Sequence, residues 1–261
     1  MEMRKLKVSY SPTILLFFTP SHLYISFSPF SKYCFTLSFS FLGSMQTVVG
    51  DLTSSEFQNP QTCLVQILNC VAVRPHGLSK TLGTKYPYSN LYIKRRSIKN
   101  LNRAIVQDRA KPGTLDICRP KSLNPGGPLV ANLYAQFYMG KDLNRNLSSQ
   151  MLTKTLKKQI DQAHKDPELL AGLLADTRQN RIKWFSSSLH HLLKKIPEEN
   201  IRKVVFPFNI GCGLAAGNWK KDYLPAIRAF SAEASKMNVE IVIVQKDITP
   251  YLQTFKNKRS C

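Results

Sequence analysis

The stretch from Lys203 to Gln245 constrains the fold of this chain more than any other. It contains an apolar strand at 204–210, a glycine-rich loop at 211–219, an amphipathic helix and a second apolar strand at 239–245. A glycine-rich turn between a strand and a helix leaves backbone N–H groups unpaired, and the helix dipole adds about half a positive charge there. The stretch therefore predicts either a phosphate-binding loop or a tight connection with no ligand.

Buried strands and amphipathic helices alternate along the rest of the chain. The run from Thr62 to Val73 is almost continuously apolar, which is typical of a strand buried on both faces of a sheet. We also predict strands at 46–49, 114–117 and Leu129–Gln136, and helices after residue 78, from Ser148 or Ser149, and at Arg181–Lys195, which Pro197 stops. This order predicts an α/β fold, a three-layer α/β/α sandwich around a mixed, largely parallel central sheet.

The composition of the chain changes at Met45. Residues 1–44 are rich in Phe, Ser, Leu and Tyr, and two prolines and a lysine keep the apolar run below the ~18–20 residues of a membrane helix. This leader is either a weak signal-like segment or a dispensable gene-model extension, and we favour the second interpretation because Met45 opens directly onto a strand. Residues 45–246 are expected to form one domain, and residues 247–261 a basic C-terminal tail.

The cysteines and the net charge limit which cellular compartment and which binding partners can be expected for this protein. The six cysteines form no C-x-x-C pair and no Cys/His cluster, so we expect no metal, no cofactor and a cytoplasmic or nuclear protein, with secretion or membrane targeting through the leader as the alternative. The net charge is +21, and residues 1–44 hold only four Lys/Arg and one acid, which leaves +18 on residues 45–261. Such a field attracts nucleotides or nucleic acid, or is simply a solvated basic surface.

Three loops follow predicted strands at the carboxyl edge of the sheet, where open α/β sheets bind ligands. With these loops in this order, residues 45–246 resemble the macro domains, which bind ADP-ribose. The resemblance rests on Val49-Gly50-Asp51-Leu52, Leu68-Asn69-Cys70, His76-Gly77-Leu78-Ser79, Leu133-Tyr134-Ala135-Gln136 and Ile210-Gly211-Cys212-Gly213-Leu214. The last motif is most similar to the subgroup of ADP-ribose-1″-phosphate phosphatases and terminal ADP-ribose protein glycohydrolases.

The resemblance implies a role for each motif. Asp51 would accept a hydrogen bond from the adenine amine, the loop at 211–217 would bind the phosphates, and Asn69 would contact the distal ribose. As alternatives, Asp51 caps a turn, Asn69 ends a strand and Trp219 is a core residue. The full set of ligand-binding residues implied is Asp51, Leu52, Asn69, Gly77, Leu78, Gln136, Gly211, Cys212, Gly213, Leu214, Ala215, Gly217, Asn218 and Trp219.

Catalysis depends on fewer residues. His76 is the one titratable base of its loop, and histidine suits proton transfer near neutral pH. The alternative is that this side chain only forms a hydrogen bond with the loop backbone. The glycohydrolases of this subgroup carry an acid where this chain has Ala215 and a lysine near the position of Gln136, so their lysine-dependent mechanism is disfavoured. Related phosphatases often carry Asp at the position of Asn218, which cannot act as a base.

Three functions are therefore open. The first is an ADP-ribose-binding hydrolase that acts on a phosphate or ester at the distal ribose. The second is a non-catalytic reader of ADP-ribose, and the third is a basic module that binds nucleic acid through its phosphates. Steep salt dependence would distinguish the third from the others.

Overall fold

The computed structural model describes residues 14–19, 22–27, 45–99, 101–120, 126–141 and 166–246. The chain divides into two units, Met1–Leu42 and Gly43–Cys261. In the first unit, strands β1 (Ile14–Thr19) and β2 (His22–Phe27) pair in antiparallel register, with Ile14 opposite Phe27. The predicted helix from Ser148 or Ser149 and the basic tail lie outside the described residues.

The second unit is built on a six-stranded mixed sheet in the order β3-β8-β7-β4-β6-β5. Five strands run parallel, and only β5 is antiparallel to its neighbour. This confirms the predicted largely parallel sheet. The strands are β3 (Gln46–Gly50), β4 (Thr62–Asn69), β5 (Leu115–Cys118), β6 (Leu129–Gln136), β7 (Lys203–Pro207) and β8 (Glu240–Lys246).

Helices cover both faces of the sheet, as expected for a three-layer arrangement. They are α1 (Leu78–Lys85), α2 (Pro167–Ala175), α3 (Arg178–Glu198) and α4 (Leu224–Ser235). Side chains cap two of their N-termini: Asp166 accepts from the Leu169 N–H and Thr177 from the Asn180 N–H. Among the described helices, none is long and apolar enough to cross a membrane.

The alternation of side chains along β4 shows how the core is divided. Cys63 and Val65 point to the face covered by α3 and α4, whereas Leu64 points to the face covered by α1. On the first face, α3 contributes the fully buried Phe185 and α4 contributes Ile227. The apolar run of β4 is therefore buried on both faces.

Several element ends differ from the prediction, and three of these differences involve a proline or the end of a strand at the ligand edge. Pro197 lies inside the last turn of α3 and does not stop it, since the helix continues to Glu198. β4 ends at Asn69, four residues early, because the Asn69 side chain accepts hydrogen bonds from the next backbone N–H groups and turns the chain. β7 ends at Pro207 and not at residue 210, because proline offers no N–H to the ladder and Asn209 adopts a left-handed backbone.

Candidate functional site

The carboxyl ends of β3, β4 and β7 meet at one edge of the sheet, and two adjoining cavities lie there. The larger has a volume of about 690 Å³ and the smaller about 340 Å³. They share Gly77, Leu78, Pro207 and Phe208 in their walls, so together they form one cleft. We call the part of the larger cavity lined by Asn69, Tyr92 and Gln136 the inner end of the cleft.

Most of the residues singled out from the sequence lie in this cleft. Four do not line either cavity: Cys212, Gly217, Asn218 and Trp219. Asp51 and Leu52 line the smaller cavity. The larger is lined by Asn69, His76, Gly77, Leu78, Gln136, Gly211, Gly213, Leu214 and Ala215.

The second loop, residues 210–218, offers unpaired backbone donors to the cleft. Its turn is held by two internal bonds, from the Ala216 N–H to the Gly213 carbonyl at 2.9 Å and from the Gly217 N–H to the Gly211 carbonyl at 3.1 Å. The N–H groups of Gly213, Leu214 and Ala215 donate to no residue that the structure describes. Successive free N–H groups of this kind bind anions, and phosphate above all.

Gly211 and Gly217 are needed for packing, and Gly211 also lines the larger cavity. A Cβ on Gly211 would lie 2.3 Å from the Tyr223 ring, and one on Gly217 would lie 2.4 Å from the same ring. Gly211 also has a left-handed φ of +73°. Tyr223 is buried against Phe185, with the ring centroids 5.0 Å apart. Burial raises the pKa of the Tyr223 phenol to about 12, so it stays neutral.

The end of the second loop is anchored by a polar network. The Asn218 N–H donates to the Asp222 carboxylate at 2.8 Å, and the Asn218 side chain accepts from the Lys221 N–H at 2.9 Å. Asp222 is buried and forms an ion pair with Arg178, with Nη2 and Oδ1 2.5 Å apart. Asn218 is thus the N-cap of a π-helical turn, Trp219–Tyr223. Such turns often mark functional sites.

Trp219 acts on the cleft indirectly. Its ring packs on Phe208, with centroids 5.2 Å apart, and Phe208 lines both cavities. The tryptophan therefore supports a wall residue from behind.

Asn69 has most of its hydrogen-bonding capacity used by the protein. Its side-chain oxygen accepts from the N–H groups of Val71 and Ala72, at 3.2 and 2.6 Å. Its amide nitrogen donates to the Tyr92 hydroxyl at 3.1 Å, which leaves one N–H of that amide for another acceptor. The residue both ends β4 and lines the cleft, and its contact with a ribose stays a prediction.

His76 lies on the wall of the larger cavity with an exposed side chain. Its backbone is fixed by Ser79: the His76 N–H donates to the serine hydroxyl at 3.2 Å, and that hydroxyl donates back to the His76 carbonyl at 2.9 Å. The imidazole itself has no hydrogen-bond partner among the described side chains. Gly77 follows with a φ of +54°, a conformation that glycine adopts without strain.

Asp51 presents a carboxylate to the smaller cavity. Its Oδ1 accepts from the Thr53 hydroxyl at 2.6 Å and from the Thr53 N–H at 2.7 Å. These hydrogen bonds, with a contribution from Lys246, hold the pKa of the Asp51 carboxyl below its usual range. The group is therefore ionised at neutral pH and can accept from an amine while it caps its own turn.

One buried ion pair that supports the cleft was missed in the sequence. Arg181 donates to Asp176 through Nε and Nη2, both at 2.7 Å, and through Nη1 to the Gly140 carbonyl at 2.8 Å. Asp176 accepts in turn from the Tyr138 N–H at 3.0 Å. This pair fixes the segment after β6 that carries Met139 and Gly140 into the cleft wall. An acid and an arginine five residues apart at a helix start are too common to signal this.

Within the described part of the chain, no group of three or more His, Cys, Asp and Glu residues is placed to hold a metal ion. The larger cavity has neither carboxylate nor lysine among its described lining residues.

No protein-family model and no curated protein matches this sequence. Among solved structures, the chain is similar to the macrodomain of Mycobacterium tuberculosis DarG, with 16% identity and a TM-score of 0.46 over 78% of this chain and 97% of that one. It is similar to the macrodomain of Thermus aquaticus DarG, with 15% identity and a TM-score of 0.43 over 78% and 99% of the two chains. It is also similar to a mutant Oceanobacillus iheyensis macrodomain with ADPR, with 10% identity and a TM-score of 0.42 over 95% and 100%. Matches this distant carry no argument about what the chain binds.

Proposed function

We propose that this chain binds ADP-ribose or an ADP-ribosyl group in the cleft. The observation that carries the proposal is the row of N–H groups at Gly213, Leu214 and Ala215, which have no partner among the described residues and lie on the wall of a 690 Å³ cavity. A diphosphate matches such a row, because each N–H can donate to a phosphate oxygen without a competing partner. The volume lies in the usual range for small-molecule sites.

The chemistry of the two cavities supports a nucleotide with a second sugar. Asp51, in the smaller cavity, supplies an acceptor for the exocyclic amine of adenine. Asn69 and Gln136, at the inner end, supply amide groups for ribose hydroxyls. The resemblance to the macro domains implies these roles for Asp51 and Asn69, and for Gln136 a position on the sheet side of the pocket.

Hydrolysis at the distal ribose is a second candidate, favoured by the position of His76 in the larger cavity. Its imidazole would activate water for attack on the phosphate of ADP-ribose-1″-phosphate or on an ester. No described residue orients that imidazole, and no described carboxylate lines the cavity, so binding is the better-supported part of the proposal.

Calorimetric titration of the full chain with ADP-ribose tests the binding proposal, and phosphorus NMR on the same sample follows phosphate release from ADP-ribose-1″-phosphate. Micromolar binding supports the proposal. Phosphate release that vanishes in His76→Ala, with ADP-ribose binding retained, would make the protein a hydrolase. Binding without release would make it a reader, and absence of binding would refute the proposal.

Nucleic-acid binding is the remaining candidate, and the net charge of +21 favours it. Binding through phosphates alone loses affinity steeply with salt. The same titration with a single-stranded oligonucleotide at 50 mM and 300 mM salt tests it, and an affinity that does not depend on salt would exclude it.

A further inference from the structure

The inner end of the cleft contains a hydroxyl that the sequence analysis did not single out. Tyr92 lies in a short 3-10 turn, Leu91–Lys94, between α1 and β5. The residue is only 3% exposed, yet it lines the larger cavity together with Asn69 and Gln136. Asn69 and Gln136 are register partners across β4 and β6, so the tyrosine completes a polar patch at this end of the two strands.

The hydrogen bonds of this patch leave the Tyr92 hydroxyl as a donor. Its oxygen accepts from the Asn69 amide nitrogen at 3.1 Å, and that bond does not use the phenol proton. The Ser79 hydroxyl is a second hydrogen-bonding neighbour of the phenol. Because Ser79 gives its own proton to the His76 carbonyl, it can only accept the phenol proton, and a ligand oxygen in the cavity would take its place as the acceptor. Burial raises the pKa of the Tyr92 phenol, so the proton is present at neutral pH.

Arg95 holds the tyrosine and the neighbouring loop in place. Its guanidinium lies 5.0 Å from the centre of the Tyr92 ring and 5.7 Å from that of Tyr134. The same group donates through Nη1 to the carbonyls of Asn69 and Ala72, at 3.0 and 2.7 Å. Because one buried side chain fixes both the ring and the loop, the hydroxyl loses little freedom when a ligand binds.

We propose that Tyr92 is a specificity-determining residue, whose O–H donates to a hydroxyl oxygen of the distal ribose of ADP-ribose. The proposal rests on the proposed function. It follows that the cleft distinguishes ADP-ribose from ADP, which has the same adenosine and diphosphate but lacks the second sugar. A hydroxyl aimed at a missing sugar gains nothing from ADP.

The test is Tyr92→Phe in the full chain, titrated with ADP-ribose and with ADP. The variant keeps the ring on Arg95 and removes only the hydroxyl. We expect ADP-ribose to bind about 3- to 10-fold more weakly, the equivalent of one hydrogen bond, while the affinity for ADP changes less than about 2-fold. Tyr88→Phe is the matched control, because the Tyr88 hydroxyl donates to the Pro128 carbonyl and lines neither cavity of the cleft. It should change neither affinity.

Equal weakening of both ligands, or no weakening of ADP-ribose, would overturn the role of Tyr92 while the proposed function stands. Failure of the unaltered protein to bind either ligand would instead overturn the proposed function, and this inference with it. A second measurement uses the unaltered protein. In protein labelled with ¹³Cζ-tyrosine, the Tyr92 resonance should shift when ADP-ribose is added and should not shift when ADP is added. An unshifted resonance in saturating ADP-ribose would refute the contact.

Discussion

The two loops that meet at the cleft differ in whether their backbone N–H groups have hydrogen-bond acceptors within the protein. In the first loop, residues 70–77 between β4 and α1, side chains accept from the N–H groups: Asn69 accepts from Val71 and Ala72, and Asn102 accepts from Val73 and Arg74 at 3.1 and 2.8 Å. In the second loop, three consecutive N–H groups are left without a partner among the described residues. A loop with satisfied donors forms a rigid wall, whereas a loop with free donors gains its missing hydrogen bonds from a ligand.

The glycines of the second loop also differ from one another: some pack against the core, and one borders open space at the cleft. Gly211 and Gly217 lie against Tyr223 and have no room for a side chain, whereas a Cβ on Gly213 would meet no atom within 4 Å. Closely spaced glycines of one motif therefore differ in purpose: two let the loop pack on the core, and one leaves space at the cleft. A glycine-rich motif can therefore contain glycines that are needed for packing beside glycines that leave room for a ligand.

The largest effect should come from Gly211→Ala. A side chain there must adopt a φ of +73° and displace the Tyr223 ring, which lies 2.3 Å from the new Cβ. We expect the free energy of unfolding to fall by about 2–4 kcal/mol, measured by urea denaturation. Gly213→Ala, in the same loop with open space around it, is the control and should stay within about 0.5 kcal/mol of the unaltered protein. An unchanged Gly211→Ala midpoint would mean that the two glycines do not differ.

Gly213→Val should separate binding from stability. The valine meets no protein atom near its Cβ but crowds the cavity beside the free N–H groups, so we expect ADP-ribose to bind at least about 10-fold more weakly, or about 1.4 kcal/mol. The unfolding midpoint in urea should not change. If affinity is unaltered while the unaltered protein binds ADP-ribose, the phosphates do not lie at this loop.

Of the three substitutions, Asn102→Ala should have the smallest effect, and that effect should be limited to the first loop. It leaves the N–H groups of Val73 and Arg74 without their acceptor in a partly exposed position, at a cost of about 1 kcal/mol in unfolding free energy. Hydrogen exchange should be faster at these two amides, with the second-loop amides unaffected. Equal loss of protection in both loops would show that they are one cooperative unit and not two.

The local pattern of the sequence was enough to predict the sheet. Leu129–Gln136 was predicted residue for residue, because a strand buried on both faces leaves an uninterrupted apolar signature. Helix α3 was predicted from its apolar spacing, although it is longer than expected at both ends. The end at Pro197 was misjudged: the proline offers no N–H to the Leu193 carbonyl, but the Glu199 N–H still donates to the Lys195 carbonyl beyond it.

The candidate site could be predicted only in part. Asp51, Asn69 and the second loop were found because strand ends and glycine turns leave a pattern in the sequence. Tyr92 and Arg95 were not, since they lie in a basic, non-periodic segment that we interpreted only as a cover for the sheet. Asn218 and Trp219 were interpreted as ligand residues through the resemblance, while in the structure one caps a π-helical turn and the other supports Phe208.

The sequence by itself determined which segments become strands and helices, and that the glycine turns fall where β4 and β7 end. Periodicity and turn chemistry are properties of neighbouring residues, so they can be predicted without knowing the fold. Only the tertiary structure decided which backbone donors stay free, which glycines touch Tyr223, and that Arg95 lies behind Tyr92. These features depend on how loops and side chains are placed when the sheet and its covering layers pack, and no periodic pattern of the sequence encodes that placement.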